Sequence, residues 1–154
     1  MVYYLTAAIL VVIDQLVKIW VRGSIELGQS VPFIPGVMEL TYTQNTGAAF
    51  SSFSGLTGVL AVISLAASVA LVWLIHKKVF PHRLGQLALT LVLAGAVGNL
   101  IDRVFLGFVT DMFATTFVQF AVFNVADICV TVGGVALVCY ALFFWGKEGE
   151  HDGD

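Results

Sequence analysis

Four long apolar segments dominate the pattern of hydrophobic and polar positions along the chain. They cover residues 4–22, 56–75, 84–103 and 121–145. The hydrocarbon core of a bilayer is about 30 Å thick, and a helix of about 20 apolar residues spans it. The composition agrees, because 59% of the residues are hydrophobic and only 11% are charged. The sequence therefore predicts an all-α polytopic membrane protein with four transmembrane helices in a single domain, 1–154.

Basic residues near the ends of the spans predict the orientation of the chain in the membrane. Lys77, Lys78 and Arg83 lie in or at the end of the connection between the second and third spans, and Lys147 follows the fourth. We therefore expect both termini to be cytoplasmic, with the acidic tail 146–154 in solvent. The connections that follow the first and third spans then face outward.

The first outward connection, residues 23–53, carries a pattern typical of β-structure. Met38, Leu40 and Tyr42 alternate with polar residues, which is the period of a half-buried strand. We predict a small extracytoplasmic platform that contains β-strands. The second outward connection is rich in phenylalanine between residues 112 and 123. It forms either an amphipathic segment on the membrane surface or a simple loop.

Ionisable and amide side chains fall inside or at the edges of the predicted spans. Such residues are costly in a membrane and by default indicate a functional site. With the predicted orientation they share one shallow layer of the outer leaflet, and within each span their spacing puts them on one helical face. The set consists of Asp14, Lys18, Asn99, Asp102, Arg103, Asn124 and Asp127.

Charge pairing divides the acidic residues into two groups. Asp14 and Lys18 are four residues apart and can pair, and we interpret Asp102 as a member of a structural ion pair as well. Asp111, in the link between the third and fourth spans, and Asp127 have no obvious cationic partner. Two such carboxylates in a site of low dielectric share a proton and can activate water. A lone intramembrane carboxylate would equally suit a proton relay.

Four stretches of the chain resemble, in order, the motifs of the lipoprotein signal peptidase (signal peptidase II) family. They are DQLVK at 14–18, NTGAAFS at 45–51, GAVGNLIDR at 95–103 and FNVAD at 123–127. Each motif alone is weak, but four in order on a four-span framework are specific. One departure is Thr110, beside Asp111, where the family often has valine. A hydrogen bond from Thr110 could alter the pKa of Asp111.

The resemblance implies an aspartic endopeptidase of the bacterial cytoplasmic membrane, with its active site toward the outer leaflet. Such enzymes remove the signal peptide from diacylglyceryl-modified prolipoproteins by cutting before the lipidated cysteine. The implied partners are these substrates, membrane lipids and globomycin-type inhibitors. No metal or organic cofactor is implied, and the net charge of −3 does not indicate a nucleic-acid partner. We expect a monomer.

The resemblance also implies roles for individual residues. Asp111 and Asp127 match the two catalytic aspartates. The positions that hold substrate or inhibitor match Asn45, Asn99, Arg103 and Asn124. Gly47 would let a peptide approach closely because it has no side chain, although tight turn packing explains it equally well.

Two other classes of protein compete with this interpretation. A small proton-coupled carrier would also bury acidic and basic groups, but its site should lie near the membrane midplane, often between inverted repeats, and no repeat is evident. A membrane scaffold would use the charged groups only as structural ion pairs. Replacement of Asp111 or Asp127 would then change stability alone.

Overall fold

The computed structural model describes residues 1–47 and 55–145 as four long helices and a small sheet. In chain order the elements are α1 (Val2–Ser24), β1 (Ser30–Ile34), β2 (Met38–Asn45), α2 (Thr57–His76), α3 (Arg83–Leu106), β3 (Val109–Thr115) and α4 (Val125–Phe143). All four helices are long and apolar enough to cross a membrane, which makes the chain a multi-pass membrane protein. The predicted acidic tail 146–154 and the last four residues of the motif 45–51 lie outside the described residues.

The prediction that the fourth helix begins near residue 121 is wrong. Phe123 still belongs to the sheet region, because it forms a β-bridge with Phe113. Asn124 then caps α4, and its side-chain oxygen accepts a hydrogen bond from the backbone N–H of Asp127. The helix therefore begins at Val125, and Asp127 lies in its first turn instead of six residues into a span.

The sheet has three antiparallel strands in the order β1-β2-β3. The alternation from Met38 to Tyr42 correctly predicted β2, but β3 was not predicted. Both interpretations of the segment 112–123, a surface segment or a loop, are wrong for its first four residues, which continue β3. The pairing of β3 with β2 joins residues far apart in sequence, so the local hydrophobic pattern does not predict this strand.

One face of the sheet packs against the C-terminal end of α1. Val21 and Ile25 of this end contact Leu40 and Tyr42 of β2 and Met112 of β3 in one buried apolar cluster. Successive side chains of a strand point to opposite faces. Met112 therefore anchors β3 on the apolar side, and Asp111, its neighbour in the chain, points to the polar side.

Helix α3 lies at the centre of the bundle. In its most apolar stretch 56% of the residues are buried, against 11 to 22% in the other three helices. Glycines allow the close contacts that this position requires. A Cβ atom at Gly98 would lie 2.6 Å from Oδ2 of Asp14, and one at Gly133 would lie 2.8 Å from the carbonyl oxygen of Ala88. Small residues at such contacts let helix backbones approach closely in lipid.

The two adjacent glycines of α4 provide a matched test of this packing. We expect Gly133→Ala to lower the free energy of unfolding by about 1 to 3 kcal/mol, because the new methyl group would overlap the α3 backbone. Gly134→Ala is the control, since a Cβ there meets nothing within 4 Å. Thermal unfolding in detergent measures both. Equal losses of stability in the two variants would contradict the account of the α3–α4 contact.

Candidate active site

The ammonium group of Lys18 is the centre of a buried polar cluster. Its Nζ atom lies 2.9 Å from Oδ2 of Asp14 and 3.4 Å from Oδ2 of Asp102. It also donates a hydrogen bond of 3.0 Å to Oδ1 of Asn99. The side chain of Lys18 is 0% exposed, so these oxygens replace the water that an ammonium group would otherwise bind. The cluster joins α1 firmly to α3.

Each carboxylate of this cluster is also bound to the backbone of another element. Oδ1 of Asp14 accepts a hydrogen bond from the backbone N–H of Ala126, at the start of α4. Oδ2 of Asp102 accepts one from the backbone N–H of Thr110, in β3. Gln15 donates to both carboxylates, at 3.1 and 3.2 Å. The ion pairs thus fix the start of α4 and the register of β3 relative to α1 and α3.

Thr110 does not act on Asp111 in the way that the sequence suggested. Its hydroxyl oxygen accepts a hydrogen bond of 2.8 Å from Arg22, and its backbone N–H is taken by Asp102. Thr110 is 0% exposed. The residue therefore ties β3 to α1 and α3, and any influence on the neighbouring carboxylate is indirect.

Asp111 receives hydrogen bonds on both of its carboxylate oxygens. Nδ2 of Asn124 donates to Oδ1 at 2.7 Å, and Nδ2 of Asn45 donates to Oδ2 at 3.0 Å. Asn45 is the last residue of β2 and Asn124 is the N-cap of α4. The sheet and the helix therefore meet at this carboxylate.

Asp127 is held by the capping interactions of α4 and by α3. Its Oδ2 accepts a hydrogen bond from the backbone N–H of Asn124, which completes a capping box. Its Oδ1 accepts a bond of 2.8 Å from Nδ2 of Asn99. Within the described residues, neither Asp127 nor Asp111 forms an ion pair with a lysine or arginine.

Both of these carboxylates line one cavity of about 520 Å³. Its polar side is formed by Asn45, Asn99, Arg103, Asp111 and Asp127. Its apolar side is formed mainly by Phe120, Val122, Phe123, Ile128, Val130 and Val132. Ile128, Val130 and Val132 lie on the exposed surface of α4. A polar wall faced by an apolar wall suits a ligand with a peptide part and a hydrocarbon part.

Arg103 brings a guanidinium group to the same cavity. One of its terminal nitrogens donates a hydrogen bond of 3.3 Å to the carbonyl oxygen of Gly47. Its Nε is buried and has no hydrogen-bond partner in the described part of the chain. An unsatisfied buried donor is costly, and this one belongs to a side chain that lines the cavity.

The pKa of Asp111 is raised to about 6 from an ordinary value of 3.8, chiefly because the carboxyl is buried. The negative charge of Asp127 acts in the same direction. Hydrogen bonds from Asn45 and Asn124 and the charge of Lys18 oppose the rise. The two acidic groups are thus close enough to influence each other's charge, which is the condition for a coupled pair.

The structure brings together all the residues that the sequence analysis selected, but not in equivalent places. Asn124 is 0% exposed, so it supports the two carboxylates from behind and does not face the cavity. Gly47 contacts Arg103 through its carbonyl oxygen and Asn45 through its N–H. The sequence analysis gave no role to Gln15, although it lies in the motif 14–18 and is a polar side chain within an apolar helix.

A polytopic membrane fold with two interacting carboxylates in one cavity is typical of membrane-embedded enzymes that hydrolyse a bond by acid–base catalysis. Comparison with known proteins names the family. A family model described as signal peptidase (SPase) II matches residues 6–144. The chain belongs to the signal peptidase II family of aspartic peptidases. The carrier and scaffold interpretations are therefore wrong.

Individual relatives and solved structures agree with this assignment. The chain is 45% identical over 130 residues to a lipoprotein signal peptidase of Streptococcus pneumoniae, covering 84% of this chain and 85% of the relative. It is 43% identical over 149 residues to that of Clostridioides difficile, covering 96% and 99%. A solved bacterial membrane enzyme matches with a TM-score of 0.86 at 30% identity, covering 99% of this chain and 92% of that enzyme.

The raised pKa of Asp111 predicts how stability depends on pH. Because the folded protein holds this proton more tightly than the unfolded chain, its stabilising effect is complete below pH 3.8 and is lost as the pH rises through about 6. The pKa difference corresponds to about 3 kcal/mol. Asp111→Asn has no carboxyl to titrate at this position, so its free energy of unfolding should not fall in this way. We expect its stability relative to the parent protein to improve by up to about 3 kcal/mol as the pH rises.

Thermal unfolding in detergent at about pH 4 and about pH 8 measures this effect, with pH values placed on either side of the titration. Glu26→Gln is the control, because Glu26 is an exposed carboxylate outside the cavity. A stability difference between Asp111→Asn and the parent protein that stays constant over this range would contradict the assigned burial of a titrating carboxyl.

Proposed function

We propose that Asp111 and Asp127 are the catalytic pair with which this chain removes the signal peptide from diacylglyceryl-modified prolipoproteins, cutting before the lipidated cysteine. The observation that carries the proposal is the meeting of these two carboxylates on one cavity, each held by asparagine side chains and neither in an ion pair with any residue that the structure describes. Membership of an aspartic peptidase family supplies the reaction type.

The reaction begins with a water molecule between the two carboxyl groups. One carboxylate takes a proton from this water while the water oxygen attacks the scissile carbonyl carbon. The protonated partner donates a hydrogen bond to the carbonyl oxygen. The tetrahedral intermediate collapses when its C–N bond breaks and the leaving nitrogen receives a proton. The raised pKa of Asp111 supports a pair that carries one proton below about pH 6 and in a minority of molecules at neutral pH.

Polar groups around the pair are suited to hold the peptide. The guanidinium group of Arg103 can bind a substrate carbonyl oxygen, and Asn45 and Asn99 border the cavity beside the two acids. The carbonyl oxygen of Gly47 is bound to Arg103, so a peptide that displaces or extends this contact would lie against the turn after β2. Asn124 fixes the acids and contributes to binding only through them.

The apolar wall of the cavity supports a lipid-modified substrate. Ile128, Val130 and Val132 combine cavity lining with exposure on α4, so the cavity is bordered by a surface that faces lipid in a membrane. The diacylglyceryl chains would stay among lipid tails while the peptide reaches the acids laterally. Globomycin-type inhibitors would occupy the same cavity, and one chain supplies every residue of the site, which agrees with a monomer.

The location proposed for the site is the outer leaflet of the bacterial cytoplasmic membrane, with both termini in the cytoplasm. The short connection between α2 and α3 carries Lys77 and Lys78, and α3 begins at Arg83. Cytoplasmic connections carry an excess of such residues. The sheet and the cavity lie toward the opposite ends of these helices, which would place them on the outer side.

Replacement of either acid by asparagine tests the catalytic pair. We expect Asp111→Asn and Asp127→Asn each to lower kcat by on the order of 1,000-fold or more, because the pair acts as one unit. Cleavage of a synthetic diacylglyceryl prolipoprotein peptide in detergent is the assay. Glu26→Gln, an exposed carboxylate, should keep parental activity. Normal cleavage by either aspartate variant, with parental amounts of folded protein, would refute the pair.

Cysteine labelling in intact cells tests the orientation. In a background without Cys129 and Cys139, we expect a cysteine at Glu26, an exposed residue beside the sheet, to react with an impermeant maleimide from outside. A cysteine at Lys78 should react only after the cells are made permeable. The reverse pattern would overturn the proposed topology but leave the chemistry of the site untouched.

A further inference from the structure

The amide of Asn99 stands between the ammonium group of Lys18 and the carboxylate of Asp127. Its Oδ1 accepts hydrogen bonds from Nζ of Lys18 at 3.0 Å and from Nδ2 of Asn124 at 3.1 Å. Its Nδ2 donates to Oδ1 of Asp127 at 2.8 Å. An asparagine amide has one acceptor oxygen and one donor nitrogen, so its rotation decides which neighbour receives a proton donor.

Lys18 determines this rotation, because an ammonium group has three donors and no acceptor. If the amide of Asn99 were rotated by half a turn, its nitrogen would face the nitrogens of Lys18 and Asn124. Its oxygen would then face the oxygen of Asp127. The three hydrogen bonds of the observed arrangement would be lost and replaced by contacts between like groups.

The same constraint extends to the second acid through Asn124. Its Nδ2 divides its two protons between Oδ1 of Asn99 and Oδ1 of Asp111, while its own Oδ1 accepts from the backbone N–H of Asp127. The oxygen of Asn99 therefore directs this second amide as well. The fixed cation thus orients Asn99 directly and, through the oxygen of Asn99, reinforces the orientation that the helix cap gives Asn124, so that both amides present N–H groups to the two acids.

We infer that Lys18 is a positioning residue for the reaction: through Asn99 and Asn124 it orients the hydrogen-bond donors that hold Asp111 and Asp127. The inference rests on the proposed function of these two acids. It goes beyond the ion pairs of Lys18 with Asp14 and Asp102, which by themselves would only join helices.

The charges around Lys18 allow the two roles to be separated. Asp14 of its own helix and Asp102 of α3 contact the ammonium directly. Asp111 of β3 feels its charge at longer range, and this charge lowers the pKa of Asp111 against the larger effect of burial. Arg103 and Asp127 complete the charged groups of the site, each within range of the other's charge. Loss of the ammonium should therefore raise the pKa of Asp111.

A neutral replacement of the whole ion cluster tests the inference. In the triple variant Asp14→Asn, Lys18→Met, Asp102→Asn no buried charge is left unpaired by the change. The asparagine oxygens can still accept from the backbone N–H groups of Ala126 and Thr110. The control is Gln86→Met, which removes another buried polar side chain of α3, one that bonds to Phe80 and lies outside the cavity.

The assay follows cleavage of a synthetic diacylglyceryl peptide by the full chain in detergent, across a range of pH. We expect the triple variant to lose roughly 10- to 100-fold in kcat, the range found when a group that orients a reacting ligand is removed, with little change in KM. Because the three substitutions remove one positive and two negative charges, kcat is compared at the pH optimum of each variant. Gln86→Met should keep the parental kcat and pH profile whatever its loss of stability.

A folded triple variant with parental kcat and parental KM would overturn the inference, because the ion cluster would then be purely structural. If the triple variant does not fold, Asn99→Leu removes the hydrogen-bond connection between Lys18 and the catalytic pair. It leaves Lys18 paired with Asp14 and Asp102. Parental kcat in that variant overturns the inference equally. Activity of Asp111→Asn in the same assay would instead refute the proposed function itself.

Discussion

The burial of one ammonium group constrains the whole polar half of this protein. Lys18 is completely buried, and transfer of an isolated cation from water into such a site is prohibitively costly unless several oxygens surround it. Asp14, Asp102 and Asn99 supply those oxygens from α1 and α3. Because both carboxylates also bind backbone N–H groups, the position of this cation determines where β3 and the start of α4 lie.

This arrangement explains how two acids from unrelated elements come to line one cavity. Asp111 belongs to a strand and Asp127 to the first turn of a helix, so neither is positioned by the other. The ion pairs of Lys18 with Asp14 and Asp102 lie behind these two acids and hold the elements of the site together. Among residues 1–47 and 55–145 the two acids in front have no ionic partner, and burial raises the pKa of Asp111 to about 6. Under the proposed function, the carboxylates that join the elements and the carboxylates that react are therefore separate sets in one network.

The sequence predicted most of the helices and site residues, but fewer of the contacts between them. Counting four residues from Asp14 to Lys18 was enough to predict a pair, because both lie on one helix. The contact of Lys18 with Asn99 depends on the close approach of α1 and α3 at Gly98, which no local pattern encodes. Strand β3 escaped prediction because its partner lies about 70 residues away in sequence. The start of α4 was misplaced because apolarity continues through Phe123, and only the capping role of Asn124 marks the boundary.

Infrared titration of the carboxyl groups tests the central claim most directly, because it reports the shared proton without requiring turnover. The account predicts a protonated carboxyl band that disappears with a midpoint near pH 6 in the parent protein, is absent from Asp111→Asn, and shifts in Asp127→Asn as the neighbouring charge is removed. A band that is unchanged in both variants, or an Asp111 that titrates near its ordinary value of 3.8, would contradict the account.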